Sequence, residues 1–294
     1  MAVAFGNLTT DGVQDDEGAA ALSCTKPTGL SEGDFMVFVG TCAINTQSEA
    51  AVRYTRTGWT NLAVQIHSIQ NLTTSVICKV ASSADVLLSS FSFTNNVSNA
   101  TQFGFMFNVT GSSFTGSGNI SHDIEEASTT ATPSYTGGLI PPGSSSLLAL
   151  ISVVADDNVT GSSYAVANNN PATWTERLVD DFDLDTRKIG YMVATSAYAS
   201  SGSTGNFSLT FSESEGSIGL LLAISESASA TGTAEFLAVD PTFFNPNGLA
   251  DTLGTVALLE VDPTFFNPAG KSIDDRWTDQ NKPETPTWTD KKKY

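Results

Sequence analysis

The acidic run "DDFDLD" at Asp180–Asp185 is the stretch whose residue types and spacing most resemble a metal site. Side chains alternate between the two faces of a strand, so Asp181, Asp183 and Asp185 would share one face. Three carboxylates placed in this way suit a hard cation such as calcium. The alternative is a solvated acidic strand without a metal. We predict no bound cofactor, and these three residues are the candidate ligands if calcium binds.

Catalytic chemistry has little support in the sequence. The two histidines are His67, in the strand-like "AVQIHSIQ", and His122, in the polar "NISHDIEE". The motifs G-x-S-x-G, H-E-x-x-H and the P-loop are all missing. The three cysteines have small or apolar neighbours, which favours buried thiols over a redox or metal role. We therefore predict a protein that is not an enzyme.

Composition and charge limit the partners. The 294 residues carry a formal net charge of −18, and a field of that sign repels nucleic acid. The first residues lack a basic, then apolar, signal-peptide pattern, and no run is long enough to cross a membrane as a helix. Nucleic-acid binding, secretion and membrane insertion are not expected.

The first 228 residues have the pattern of a β protein that contains an internal repeat. Short runs rich in Val, Phe, Ile and Leu are bounded by Gly, Asn, Ser or Pro. Two sets of these runs follow in the same order, over about residues 25–112 and 134–227. In this comparison Trp59 matches Trp174, and Cys78–Ala84 matches Tyr191–Ala197.

Two sheets that pack face to face would bury the apolar faces of both sets. The predicted fold is therefore all-β, a jelly-roll-like β-sandwich built from two similar halves. Two separate small sandwiches are the alternative. Both tryptophans precede a strand in equivalent positions, which favours packing at the core or sheet edge over a binding platform.

Residues 229–294 have a different composition and form a linker followed by a predicted extended arm. The eight residues "VDPTFFNP" occur twice, at Val239–Pro246 and Val261–Pro268, and "WTD" also occurs twice. Asp-Pro and Asn-Pro favour extended or turn geometry, and exposed aromatic pairs need a partner surface. We predict that the arm docks on other subunits through its large aromatic residues, which are Phe243, Phe244, Phe265, Phe266, Trp277 and Trp288.

Short motifs in the tail and in the body carry a resemblance to known proteins. The tail repeats Trp-Thr-Asp with an intervening Lys-Pro, and the body has "G-L-x-x-G-D" at Gly29–Asp34, "G-W-T" at Gly58–Thr60 and "K-V-A" at Lys79–Ala81. The tail resembles C-terminal segments of structural proteins of tailed bacteriophages, and the body resembles phage-associated and bacterial β-sandwich proteins. The second half departs from the pattern, with Thr173 in place of the Gly and Met192 in place of the Lys. The resemblance implies a virion component that is made in the host cytoplasm and contacts other virion proteins, including further copies of itself.

Two functions from different classes remain open after the sequence analysis. The first is a non-enzymatic virion structural protein, such as a head decoration, neck, tail or fibre component, anchored by its C-terminal arm. The second is a carbohydrate- or receptor-binding adhesin or fibre module, whose partner would be glycans on the host surface. A structural component buries its arm in the particle, whereas a receptor binder exposes a rim of loops.

Overall fold

The computed structural model describes residues 3–15, 21–44, 54–67, 72–96, 100–111, 113–155, 160–184 and 187–226. These residues all belong to one compact unit, Met1–Thr231. Most of them are in antiparallel β-strands, and the predicted all-β sandwich class is confirmed.

The first half forms a five-stranded sheet with a two-stranded sheet beside it. The large sheet has the order β1-β7-β3-β5-β4 and the small one pairs β2 with β6. A one-turn helix, α1, links β5 to β6, with Ser82 as its N-cap. The elements are β1 Ala4–Asp15, β2 Ala21–Thr25, β3 Phe35–Ile44, β4 Thr60–His67, β5 Leu72–Val80, α1 Ser83–Val86, β6 Ser90–Thr94 and β7 Ala100–Thr110.

The second half repeats the strand order of the large sheet, and its small sheet has one additional strand, β11, where the described residues of the first half have an isolated bridge between Thr55 and Thr94. Its large sheet has the order β12-β13-β10-β15-β8, and its small sheet has the order β11-β14-β9. Read from the other edge, β8-β15-β10-β13-β12 corresponds to β1-β7-β3-β5-β4. The elements are a 3₁₀ turn Ser117–Asn119, β8 Ile120–Thr130, β9 Ser134–Tyr135, β10 Ser146–Val154, β11 Gly161–Val166, β12 Thr175–Leu184, β13 Arg187–Tyr198, β14 Phe207–Phe211 and β15 Glu215–Ser225. The repeat thus also includes β1 and β8, which lie before the ranges found by sequence comparison.

The four sheets are stacked in layers with three apolar cores between them. The central core lies between the two five-stranded sheets, and each outer core lies between a large sheet and its own small sheet. The two arrangements left open by the sequence are therefore combined, because each half is a small sandwich and the two large sheets also pack face to face. Strands β3 and β10 are apolar on both faces because each has a core on either side. Phe35 and Val37 enter the central core, whereas Met36 and Phe38 enter the outer core of the first half.

One sequence match between the halves has the wrong register. Phe35 pairs with Val80, and the equivalent Leu147 pairs with Ala197, so Val80 corresponds to Ala197 and not to Val193. The match of Cys78–Ala84 to Tyr191–Ala197 is therefore displaced by four residues. Both segments are made of small and β-branched residues that fit either register, and only strand pairing distinguishes the two.

A buried tyrosine crosses a glycine of the large sheet in each half. The ring of Tyr54 lies beside Gly40, and the ring of Tyr135 lies beside Gly219, where an added Cβ would approach ring atoms within 2.6 and 2.3 Å. The Tyr54 hydroxyl donates to Gln102 Oε1 at 3.0 Å, and the Tyr135 hydroxyl is 2.8 Å from Ser217 Oγ. Because Gly104 corresponds to Gly219, Gln102 and Ser217 occupy equivalent positions. The glycines thus provide the space in which each outer layer is fixed to its large sheet.

Candidate functional site

The two halves meet along two seams, one at each edge of the central core. At one seam β4 contacts β8, and His67, only 2% exposed, has its Nε2 2.9 Å from the carbonyl oxygen of Ala127. At the other seam β1 faces β12, and the Arg177 guanidinium lies over the Phe5 ring at 4.7 Å from its centroid. The second seam is open and contains a surface groove of about 630 Å³. We refer to this cavity as the seam groove.

The seam groove has a partly apolar floor and a polar rim. Phe5, Leu8 and Leu178 line it, and all three are half-buried against the central core. The rim carries hydroxyl, amide and carboxylate groups from both halves, namely Asn7, Thr9, Thr10, Thr25, Glu176 and Asp180. Such a surface offers hydrogen-bond donors and acceptors around a small apolar patch.

Each strand of the seam groove has a β-bulge at the site. The register of β1 shifts between Phe5 and Leu8, and that of β12 shifts between Glu176 and Leu178. The bulged residue of β12 is Arg177, and its Nε donates to Thr195 Oγ1 at 2.7 Å. This bond and the stacking on Phe5 fix the plane of the guanidinium. A bulge therefore positions the cation of the site, as bulges commonly do near functional surfaces.

A chain of hydrogen bonds through Asn108 and Asp34 holds the bulge of β1. The Asn7 backbone N–H donates to Asn108 Oδ1 at 2.9 Å, and Asn108 Nδ2 donates to Asp34 Oδ2 at 2.8 Å. The same Asp34 oxygen accepts from the Ser31 backbone N–H at 2.9 Å. Asp34 is the last residue of the "G-L-x-x-G-D" motif, so this motif residue supports the loop and the bulge beside the seam groove.

The glycines of the resemblance motifs are explained by backbone geometry. Gly29, Gly33 and Gly58 have φ values of +79°, +90° and +80°, a region that residues with a Cβ rarely adopt. Ala81 is buried in the outer core of the first half, and Lys79 forms an ion pair with Asp85 at 2.6 Å. Every one of these motif residues therefore has a structural role in the fold.

Beyond the rim, Glu176 connects the seam groove to an aromatic pair. The Tyr164 hydroxyl donates to Glu176 Oε2 at 3.1 Å, and burial together with the nearby Glu176 carboxylate raises the pKa of Tyr164. The Tyr164 and Trp174 rings lie 6.4 Å apart, and Trp174 Nε1 donates to Asn170 Oδ1 at 3.4 Å. Trp174 is partly buried against its outer core, and Trp59 likewise packs edge-on against Phe93. Both tryptophans have the packing role that the sequence favoured.

The acidic run lies in β12 as far as Leu184, so the strand on which the shared-face argument depends is present up to that residue. Asp181 is exposed on this strand. Asp183 is in the strand by its backbone, whereas its side chain and the whole of Asp185 lie outside the described residues. Within the described ranges, no three His, Cys, Asp or Glu side chains form a group that could hold a metal ion. The calcium hypothesis remains a prediction.

The remaining candidate residues divide into buried groups and the arm. Burial raises the pKa of both Cys24 and Cys78, that of Cys78 to about 12, and Cys42 is also buried. This agrees with thiols that serve as small apolar groups. The arm candidates all lie outside the described residues, and these are Phe243, Phe244, Phe265, Phe266, Trp277 and Trp288.

Sequence reasoning did not find the seam groove. Its two walls, around Phe5 and Arg177, are more than 170 positions apart in the chain, and they meet only because the two large sheets pack together. The bulge of β1 contains Gly6, and a glycine inside a strand pattern is a weak signal of a bulge. The isolated Arg177 in an acidic segment was the other available signal.

The chain matches no protein-family model, no curated protein sequence and no solved structure. No helix within the described ranges is long and apolar enough to span a membrane.

Proposed function

We propose that this protein is a non-enzymatic structural component of a bacteriophage particle, anchored to neighbouring subunits by its C-terminal arm. The observation that carries the proposal is the contrast between a self-contained body and a tail that repeats eight residues identically. A duplicated docking segment serves a chain that contacts several equivalent surfaces, as subunits of a symmetric particle do.

The edges of the body support attachment by an arm. Unpaired strand edges can join to other chains, and bulges are one device that prevents this. The four edge strands of the two large sheets are β1, β4, β8 and β12, and each has a register shift in its pairing. Large sheets with such edges are poorly suited to strand addition, so specific contacts are expected from other surfaces or from the arm.

The distribution of charge supports the same division of roles. Residues 1–228 contain 7 of the 13 basic residues and 21 of the 31 acidic ones, so the body has a formal charge of 7 − 21 = −14. Bodies of like charge repel each other, which keeps copies from clumping without specificity. The Phe-Phe pairs of the arm would then supply the attraction, at roughly 1.5–3 kcal/mol for each buried Phe before the costs of association.

The experiment is localisation in purified phage particles. An antibody against the body should label intact particles at regular positions, and mass spectrometry of the particles should detect the chain. When the only copy of the chain ends at residue 228, the particles should lose the label although the truncated protein is present in the lysate. Recovery of the chain only in the non-particle fraction would refute the proposal.

A further inference from the structure

We propose that the seam groove is a binding site for a neutral oligosaccharide. The inference goes beyond the structural role and does not depend on it, because it rests on the two strands β1 and β12 and not on the arm. It also gives the carbohydrate-binding alternative a definite location.

The lining of the seam groove matches the two kinds of surface that a sugar ring presents. A pyranose has apolar C–H faces and a perimeter of hydroxyl groups. Leu8 and Leu178 offer a half-buried apolar patch beside Phe5, whose ring stacks on Phe107 and carries the Arg177 guanidinium, and the rim offers both donors and acceptors. Carboxylates such as Asp180 accept strong hydrogen bonds from hydroxyl groups. The volume of about 630 Å³ lies within the usual range of ligand sites.

Two polar side chains of the seam groove are already held in place by hydrogen bonds within the protein. Arg177 is held by its Nε bond to Thr195 and by stacking on Phe5. Thr9 Oγ1 donates to the Thr25 carbonyl oxygen at 2.6 Å, which ties the rim to β2. Side chains that are fixed before binding lose little entropy when a ligand arrives. The groove is thus a built surface with defined hydrogen-bonding directions.

The charge, the bulged strand edges and the polar rim of the seam groove disfavour polyanions, added peptide strands and purely apolar ligands. A polyanion such as nucleic acid would meet the Glu176 and Asp180 carboxylates and the net charge of −18. A peptide that adds as a strand needs a regular edge, and both β1 and β12 have bulges there. Purely apolar ligands would leave the polar rim without hydrogen-bond partners. A neutral molecule rich in hydroxyl groups avoids all three penalties.

The two seams differ in the residues at equivalent positions. The β4–β8 seam is the pseudo-symmetric counterpart of the groove, and there the two halves touch through His67 and Ala127. Ile124 of β8 stands where β1 has Thr10, and Gln65 of β4 stands where β12 has Asp180. At these two positions the β1–β12 seam thus carries a hydroxyl and a carboxylate, whereas the β4–β8 seam carries an apolar and an amide side chain.

The test uses the full chain and an array of neutral microbial and animal oligosaccharides. The strongest array ligand is then titrated against the labelled protein, and changes in amide NMR shifts are expected at β1 and β12. Asp180→Ala should weaken the affinity about tenfold, since a hydrogen bond to a charged group is lost. Gln65→Ala, the matched change at the other seam, should leave the affinity within about twofold of wild type.

Four results would each overturn the proposal. The first is that no oligosaccharide on the array binds, and the second is that amide NMR shifts change only at residues outside β1 and β12. The third is equal affinity of the Asp180→Ala variant and wild type. The fourth is that the peptide VDPTFFNP changes the amide NMR shifts of the groove residues when no sugar does. The last result would identify the groove as a docking site for the arm. Loss of sugar binding with normal incorporation into particles would leave the structural role intact, so the two proposals fail separately.

Discussion

The contact between Tyr135 and Gly219 provides a quantitative test of how the outer layer is attached to the second half. A Cβ at position 219 would lie 2.3 Å from Cε2 and Cζ of the tyrosine ring and 2.6 Å from Cδ2. Ordinary contacts begin near 3.4 Å. The ring has no free space to move into, because it is 1% exposed and stacked on Phe207 with a centroid distance of 4.7 Å.

The expected cost of Gly219→Ala follows from these contacts. Overpacking a core costs about 1–3 kcal/mol, and displacing the tyrosine hydroxyl from Ser217 would weaken a hydrogen bond worth about 0.5–1.5 kcal/mol. Alanine also reduces the conformational entropy of the unfolded chain, which offsets about 0.4–1 kcal/mol of this cost. The net loss in the free energy of unfolding should be about 2–3 kcal/mol.

Urea denaturation followed by tryptophan fluorescence measures this loss. The Tyr135→Ala background removes the ring, so adding Gly219→Ala there should cost less than about 0.5 kcal/mol, and the double-mutant cycle should show a coupling of about 2 kcal/mol. Gly118→Ala is the matched control, because a Cβ at that position meets no atom within 4 Å. If Gly219→Ala unfolds at the same urea concentration as wild type, the outer layer is not packed as described.

Three further predictions concern the body. A chain of residues 1–228 should unfold cooperatively within about 2 °C of the full-length melting temperature, because β15 completes the sheets at Ser225; a broad transition would place part of the arm in the core. Burial alone would raise the pKa of Asp85, but hydrogen bonds from Lys79 and Ser82 outweigh it and lower the pKa. The stabilisation that the ionised Asp85 carboxylate gives the fold is therefore present above about pH 4 and disappears as the pH falls through the folded-state pKa. Asp85→Asn should thus be less stable than wild type by about 1–3 kcal/mol at pH 7. Chemical denaturation should show a smaller difference in the free energy of unfolding at pH 3 than at pH 7. An equal difference at both pH values would contradict the role of the Asp85 charge. The three buried thiols should react with a thiol reagent only after urea is added, and fast labelling of the native protein would contradict their burial.

The sequence predicts the class of the fold because its signals are local. The alternation in "NFSLTFSES" and the two-faced apolar runs in β3 and β10 indicate strands without any knowledge of their partners. The repeat is also visible, since Trp59 and Trp174 each precede an equivalent strand and Thr60 and Thr175 pair with the equivalent positions Cys78 and Thr195.

Features that depend on packing between distant segments could not be predicted. The outer layers require knowing that Tyr54 and Tyr135 cross glycines of their large sheets. The seam groove requires the packing of β1 against β12, which no local pattern encodes. The sequence match between β5 and β13 was wrong for a related reason, because segments of Ala, Ser, Thr and Val align equally well at several offsets.

The central claim is that the C-terminal arm holds the body on the particle through its repeated Phe pairs. The most direct measurement is competitive incorporation, in which wild-type and Phe244→Ala/Phe266→Ala chains with different tags are expressed together during infection and quantified in purified particles. The account predicts that each single variant is depleted, that the double variant is depleted by more than about tenfold, and that the melting temperature of the double variant equals that of wild type. Equal incorporation of wild type and the double variant would contradict the claim, as would a lowered melting temperature that places these phenylalanines in the fold of the body itself.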